Sequence, residues 1–161
     1  MGYRIVLTSD RATMTDYSGA DWLGFLLCLP YRLVPRYVLA KVLAPPIGAD
    51  RDGRAKLAPY ALRKLEASLY ASGFGEEEVA VVPPEALDRA VGPDTVVLGL
   101  HVLDPLGLAP VSHTLRSLAG GGPPCTELLF LNLMRILRPL KARYGFKLVV
   151  GGAWDLAAKA F

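Results

Sequence analysis

Four short apolar runs, largely β-branched, recur along the chain and constrain its fold more than any other feature. They are Arg4-Ile5-Val6-Leu7-Thr8-Ser9, Val79-Ala80-Val81-Val82, Thr95 through Val102, and Lys147-Leu148-Val149-Val150. Each is continuous rather than alternating, the pattern of a strand buried on both faces, as in parallel sheets. Turn chemistry bounds them. Pro83-Pro84 stops the second, Gly92-Pro93-Asp94 introduces the third and Gly151-Gly152 stops the fourth.

Helical patterns lie between these runs. From Tyr60 to Tyr70, Leu62, Leu65 and Leu69 share one face, and Gly73 supplies a C-terminal stop. Thr126 is placed to cap a second helix from Glu127 to about Arg143, with Gly145 beyond its end. Apolar residues nearly encircle that helix, which predicts heavy burial, and Pro139 is expected to kink or divide it. The stretch of about 20–56 reads as a helical insertion, and Gly120 through Pro124 as a flexible connection. Strands alternating with helices predict a flavodoxin-like (Rossmann-like), doubly wound, mainly parallel α/β sheet. The chain reads as a single domain over 1–161 with fewer than five strands. Because such sheets commonly carry five or six, the expectation is a piece of a longer protein, or an open edge that takes a partner.

Composition narrows the function classes. The chain is 52% hydrophobic and 20% charged with a net charge of only +3, which excludes a disordered, charge-driven segment. Its basic residues are scattered without interleaved aromatics, so no nucleic-acid partner is expected. Trp22 to Pro46 is the most apolar stretch, but Pro30, Arg32, Pro35, Arg36 and Lys41 interrupt it. It falls short of the roughly 18 uninterrupted apolar residues of a membrane span. The N-terminus carries no secretory pattern. Cys28 and Cys125 lie far apart in sequence, without zinc or disulfide spacing, which suits a reducing, cytoplasmic setting. Glutamine is absent and Asn132 is the only asparagine, a depletion that fits a heat-adapted source.

In open α/β sheets ligands settle outside the carboxyl ends of the strands, so the loops there carry the candidates. The first, Ser9 to Gly19, is rich in hydroxyls able to follow a ligand's polar edge. The third holds Asp104-Pro105-Leu106-Gly107, and the fourth the paired Gly151-Gly152, where a missing Cβ permits close approach. On that reading Gly152→Val should abolish binding and leave the fold intact. Asp104 can equally close an Asx turn, and His101 within an apolar strand reads as a satisfied core histidine. No phosphate loop, nucleophile elbow, H-E-x-x-H or Cys-x-x-Cys occurs, so no catalytic residue and no metal site is assigned.

Tyr17-Ser18-Gly19, the run Leu98-Gly99-Leu100 continuing through Asp104 to Val111, and Val149 to Trp154 together give a resemblance. With Gly53-Arg54-Ala55-Lys56 and Ala58 to Lys64 it extends over most of the chain. The chain resembles the N-terminal cobalamin-binding-type domain of archaeal and bacterial radical S-adenosylmethionine proteins. The resemblance implies a corrinoid (cobalamin) held by Ser18, Gly19, Asp104, Gly107, Gly151 and Gly152. It also implies a radical S-adenosylmethionine catalytic domain as partner, in cis or in trans. The Cys-x3-Cys-x2-Cys motif that binds an iron–sulfur cluster in those proteins is absent from this chain. So is the histidine of the Asp-x-His-x-x-Gly motif, because Leu106 stands at its place. Two other readings follow from the residues themselves. One is a ligand-free interaction module; the other is a receiver-like domain with Asp104 as phosphoacceptor.

Overall fold

The computed structural model describes residues 2–152. Its framework is β1 (Ile5–Ser9), α1 (Tyr60–Ala71), β2 (Val79–Val81), β3 (Val97–Val102), α2 (Pro110–Leu118), α3 (Cys125–Tyr144) and β4 (Lys147–Gly152). The four strands form one all-parallel sheet in the order β2-β1-β3-β4. That is the flavodoxin-like order short of a fifth strand, as the alternation of apolar runs and helical patterns predicts. The strand order reverses between β1 and β3, the topological switch point of such sheets.

Alternation along the strands sorts two cores. On one face Leu7, Val79 and Val81 pack against Leu62 and Leu69 of α1. On the other, Val6, Ala80, Leu98, Leu100 and Val102 pack against the turn Leu87–Ala90 and against Phe130, Leu133 and Leu137 of α3. Crossovers between parallel strands are right-handed. The β1-to-β2 connection therefore puts α1 on one face, while both rightward connections put their helices on the other. The α1 face covers β1 and β2 but leaves β3 and β4 open, so Val149 is 56% exposed.

Several details depart from the sequence reading. Strand β3 begins at Val97, because the Thr95 hydroxyl instead donates to the Tyr3 carbonyl and accepts from the Gly92 N–H. The connection after β3 contains α2, whose polar outer residues and flanking Pro and Gly disguise it; Pro110 suits its first turn. Helix α3 starts at Cys125 with Pro124 as its cap, so Thr126 caps nothing and its hydroxyl oxygen is buried without a partner. Pro139 does not divide α3. It lies on the exposed side, where the carbonyl four residues back can turn to water. Leu131 of the same helix is also exposed, so burial is confined to one stripe.

The insertion is helical only as far as Leu43. It is a string of turns, Asp21–Cys28, Tyr31–Leu33, Arg36–Val38 and Leu39–Leu43, broken at Pro30 and Pro35. Leu27, Leu39 and Leu43 anchor it against Ala12, Cys125 and Leu129. Beyond it the chain is irregular. There Asp50 closes a turn by accepting from Asp52 and Arg54 N–H, and Ala55 pairs with Ala49.

That irregular stretch seals the outer edge of β2. The Ala55 N–H donates to the Val81 carbonyl, and the Val81 N–H donates to Glu66. Arg54 donates to the Val79 carbonyl and also pairs with Glu66 at 2.8 Å. Arg63 takes the second oxygen of Glu66 at 2.7 Å. The buried carboxylate thus accepts from two arginines, from the Val81 N–H and from the Tyr70 hydroxyl. Removing it strands the guanidiniums and reopens the strand edge. Glu66→Leu should therefore lower unfolding free energy by about 3 kcal/mol in urea titrations, whereas Glu77→Leu, an exposed neighbour in sequence to the same edge, should change it little.

Candidate binding site at the strand ends

The carboxyl end of β1 reaches the switch point with Thr8, Ser9 and Asp10, all buried. Thr8 Oγ1 donates to the Val82 carbonyl and Ser9 Oγ to the His101 carbonyl, both at 2.7 Å. These hydroxyls clip β1 to the ends of both neighbours. Thr15 and Thr13 are likewise engaged, accepting from Tyr17 N–H and bonding Asp10. The hydroxyls of Thr8, Ser9, Thr13 and Thr15 thus hold the protein together.

Asp10 caps the single turn Arg11–Met14, its Oδ1 accepting from the Thr13 N–H at 3.0 Å. Burial pushes its carboxyl up to about 6, against the opposing pull of the Thr13 hydrogen bonds. The Tyr17 hydroxyl donates to the Ala12 carbonyl, and burial pushes its phenol up to about 12. Tyr17 has φ +51°, an uncommon conformation for a residue other than glycine, in the turn that holds Ser18 and Gly19.

Asp104 governs the loop after β3. Its Oδ1 accepts from Leu108 N–H at 2.8 Å and Ala109 N–H at 3.0 Å, and its Oδ2 accepts from the Ser112 hydroxyl. Both oxygens are committed inside the loop, as in the Asx-turn reading, and this speaks against a phosphoacceptor role. Gly107, at φ +63°, packs so closely on Pro124 that a Cβ would overlap the proline ring. Cys28 comes to the same place from the insertion: its thiol meets Ser112 and feels Asp104, and burial raises its pKa. Burial likewise pushes the Cys125 thiol up to about 11. Both are free thiols, and burial favours the protonated form of each.

A second group lies on the open face of the sheet. Ala61, Leu62 and Leu65 of α1 stand opposite Gly99, His101, Val149 and Gly151, enclosing an apolar trough of about 240 Å³. Gly99 and Gly151 form its floor. At Gly99 a Cβ would approach Leu7 Cδ2 to 2.8 Å, while at Gly151 nothing stands within 4 Å. His101 is half-buried here; burial lowers its pKa and favours the uncharged ring, opposed by a hydrogen bond with the Gly151 backbone. It is satisfied, as the sequence suggested, yet it lines a pocket instead of the core.

The six residues named from sequence thus fall into separate places. Asp104 and Gly107 shape the loop above β3, Gly151 and Gly152 end β4 beside the trough, and Ser18 and Gly19 lie in the turn that follows β1. Gly19 is exposed, with nothing within 4 Å of a Cβ built on it. The Ala153-Trp154 continuation lies outside the described residues. Sequence reasoning missed Ser112 and the trough-lining helix residues, because only the crossover brings them to the strand ends. Among the described residues, no three His, Cys, Asp or Glu side chains are grouped to hold a metal ion. No helix among them is long and apolar enough to cross a membrane. Compared with protein-family models, with curated proteins and with solved structures, the chain matches none.

Gly152 is set by the backbone. At φ +140° it lies so close to β3 that a Cβ would overlap the Val102 carbonyl oxygen. Gly152→Val should therefore cost about 1–3 kcal/mol or more of folding stability, contrary to the expectation of an intact fold, while Gly151→Ala should melt like the wild type. Asp10 makes a separate, pH-dependent prediction. A carboxyl whose folded pKa is raised binds more protons folded than unfolded, so its contribution is full below pH 4 and is lost as pH rises through about 6. Between those values the wild type should lose on the order of 2–3 kcal/mol relative to Asp10→Asn, read as the difference between their denaturation free energies across pH.

Proposed function

We propose that this domain binds a nucleotide-tailed corrinoid at the carboxyl ends of its strands and presents it to a separate catalytic domain of the radical S-adenosylmethionine type. The observation that carries the reading is the trough between α1 and the bare face of β3 and β4. It lies on the carboxyl side of the sheet and is floored by glycines. Its volume of about 240 Å³ suits a flat bicyclic heterocycle and excludes a macrocycle. A corrin ring would sit outside it, over the loops of Asp104 and of Ser18-Gly19. In the trough, Leu62 and Leu65 would sandwich the heterocycle against the backbone at Gly99 and Gly151. The His101 ring, next to it, offers a polar contact.

A bound corrinoid supplies cobalt-centred chemistry that protein side chains lack. The chain's own part is then to bind, orient and shield. Asp104 holds the loop from Leu108 to Ser112 in one shape, and Gly107 lets it close on Pro124. With Leu106 where a lower histidine ligand would stand, the reading requires a cofactor whose cobalt takes no imidazole from this loop. The protonated thiols of Cys28 and Cys125 and the committed carboxylate of Asp104 support a carrier role for these loops.

Titration with hydroxocobalamin tests this. The expected outcome is a saturable absorbance change and colour that stays with the protein through gel filtration. Dicyanocobinamide, which lacks the nucleotide tail, should bind at least about tenfold more weakly, a difference of about 1.4 kcal/mol. Ala61→Trp, at an exposed helix position that faces the trough, should remove the same discrimination without lowering the melting temperature. Protein that emerges colourless, or that binds both corrinoids alike, refutes the tail-in-trough reading.

A further inference from the structure

Helix α2 presents its apolar side outward. Val111, Leu115 and Leu118 recur at the spacing of one helix face. Val111 and Leu118 are nevertheless exposed, Leu118 at 80%, while Ser112 of the same helix is fully buried. The turn Asp21–Cys28 packs beside α2 and does the same. In a 3-10 turn residues three apart share a face. Leu27 goes inward there, and Trp22 and Phe25 stay out together, Trp22 at 64% exposure. Phe25 lines one cleft of about 410 Å³ with Pro110, Val111, Thr114 and Leu115, so the two outward faces form one surface.

The turns Arg36–Val38 and Leu39–Leu43 extend that surface. Leu39 and Leu43 enter the same buried cluster as Leu27, so the opposite sides of these turns face the same way as Trp22 and Phe25. Tyr37, 73% exposed, and Lys41 stand there one helical turn apart, with Arg36 exposed next to them. Arg32 is fixed to the end of α2, where it donates to the Ala119 and Gly120 carbonyls at 3.2 and 3.0 Å, directly after Leu118. Between Asp21 and Asp50 the chain carries Arg32, Arg36 and Lys41 and no Asp or Glu. These three charges equal the net charge of +3 of the whole chain, so the remainder balances. None of the three joins an ion pair among the described residues; every salt bridge there involves Arg4, Arg11, Arg54 or Arg63.

We propose that this surface docks on an anionic lipid bilayer. Trp22, Phe25 and Leu118 enter the boundary between headgroups and acyl chains, and Arg32, Arg36 and Lys41 meet lipid phosphates. Exposed tryptophan and tyrosine with arginine and lysine beside them are the chemistry of a contact that lies in the membrane interface. No helix among the described residues is long and apolar enough to cross, so the contact is peripheral. The apolar residues come from separate short turns and from α2, with no sheet edge to template a peptide strand, and a fluid lipid surface needs no template. A second copy of this chain fits poorly, since it would set the unpaired cations against each other. The inference stands independently of the corrinoid reading, because none of these residues lines the trough.

The test uses the full chain carrying Trp154→Phe, which leaves Trp22 as its only tryptophan, and vesicles of phosphatidylglycerol and phosphatidylcholine in equal parts. The chain should float with the vesicles and Trp22 fluorescence should shift to the blue, both effects weakening as salt is added. Vesicles of phosphatidylcholine alone should bind at least about tenfold more weakly. Arg36→Gln combined with Lys41→Gln should lower affinity for the mixed vesicles about tenfold. Phe25→Gln combined with Leu118→Gln should lower it as much at an unchanged melting temperature, and the charge pair keeps the test decisive if the apolar pair fails to fold. Protein that stays free of the vesicles, an unshifted Trp22, or equal binding to phosphatidylcholine alone overturns the proposal. So does concentration-dependent self-association that the Phe25 and Leu118 changes abolish, which assigns the surface to a second copy. Tighter binding of polyglutamate than of the vesicles assigns it to an acidic protein and overturns the proposal as well.

Discussion

Strand β1 pairs on both sides, with β2 through Ile5 to Leu7 and with β3 through Ile5 to Ser9, and this double parallel pairing organises the molecule. A central parallel strand has no solvent face, so Val6 and Leu7 must each find a core, and right-handed crossovers decide which helix supplies it. Once α1 is fixed over β1 and β2, and α3 over β3 and β4 on the opposite side, the remaining half-face is left bare. The trough beside His101 is that bare half-face. The switch point follows from the same pairing, because β1 is where the chain turns from leftward to rightward winding.

The polar residues gathered at that switch point divide by what they do. Thr8, Ser9, Asp10 and Asp104 look like ligand groups when read as a list. In three dimensions each is bound to backbone: Thr8 and Ser9 to strand-end carbonyls, Asp10 to the start of a helical turn, Asp104 to the start of α2. Their common effect is a rigid rim. A binding site benefits from such a rim because a ligand then meets a surface whose ordering cost has already been met in folding. The apolar trough, formed by residues with little chemistry of their own, is where space is left.

The same economy governs the edges. Glu66 is buried at 5% exposure, a costly place for a carboxylate, and it is offset there by two arginines and the Val81 N–H. That arrangement closes β2 to further pairing. At β4 no described residue pairs with the outward edge of the strand. The asymmetry leaves the sheet, among the described residues, with one sealed edge and one open edge.

How much of this was legible in the residues follows from the range of the interactions involved. Runs such as Val79 to Val82 and the three-four spacing of Leu62, Leu65 and Leu69 report burial directly, so the strands, α1 and the parallel α/β class could be read from sequence. Helix α2 could not. Its inward contacts are Ser112 and Leu115, and the bond from Ser112 to Asp104 that fixes its start is invisible without the loop's shape. The insertion was legible as helical but not as broken 3-10 and π turns, because its buried leucines are spaced by the surface of α3 rather than by one helical period. Gly152 shows the limit most clearly. Paired glycines after a strand announce that a Cβ is unwanted there, and the sequence determines that much. Only the tertiary structure decides the reason, because the excluding atom is the carbonyl of Val102, fifty residues away along the chain and adjacent across the sheet.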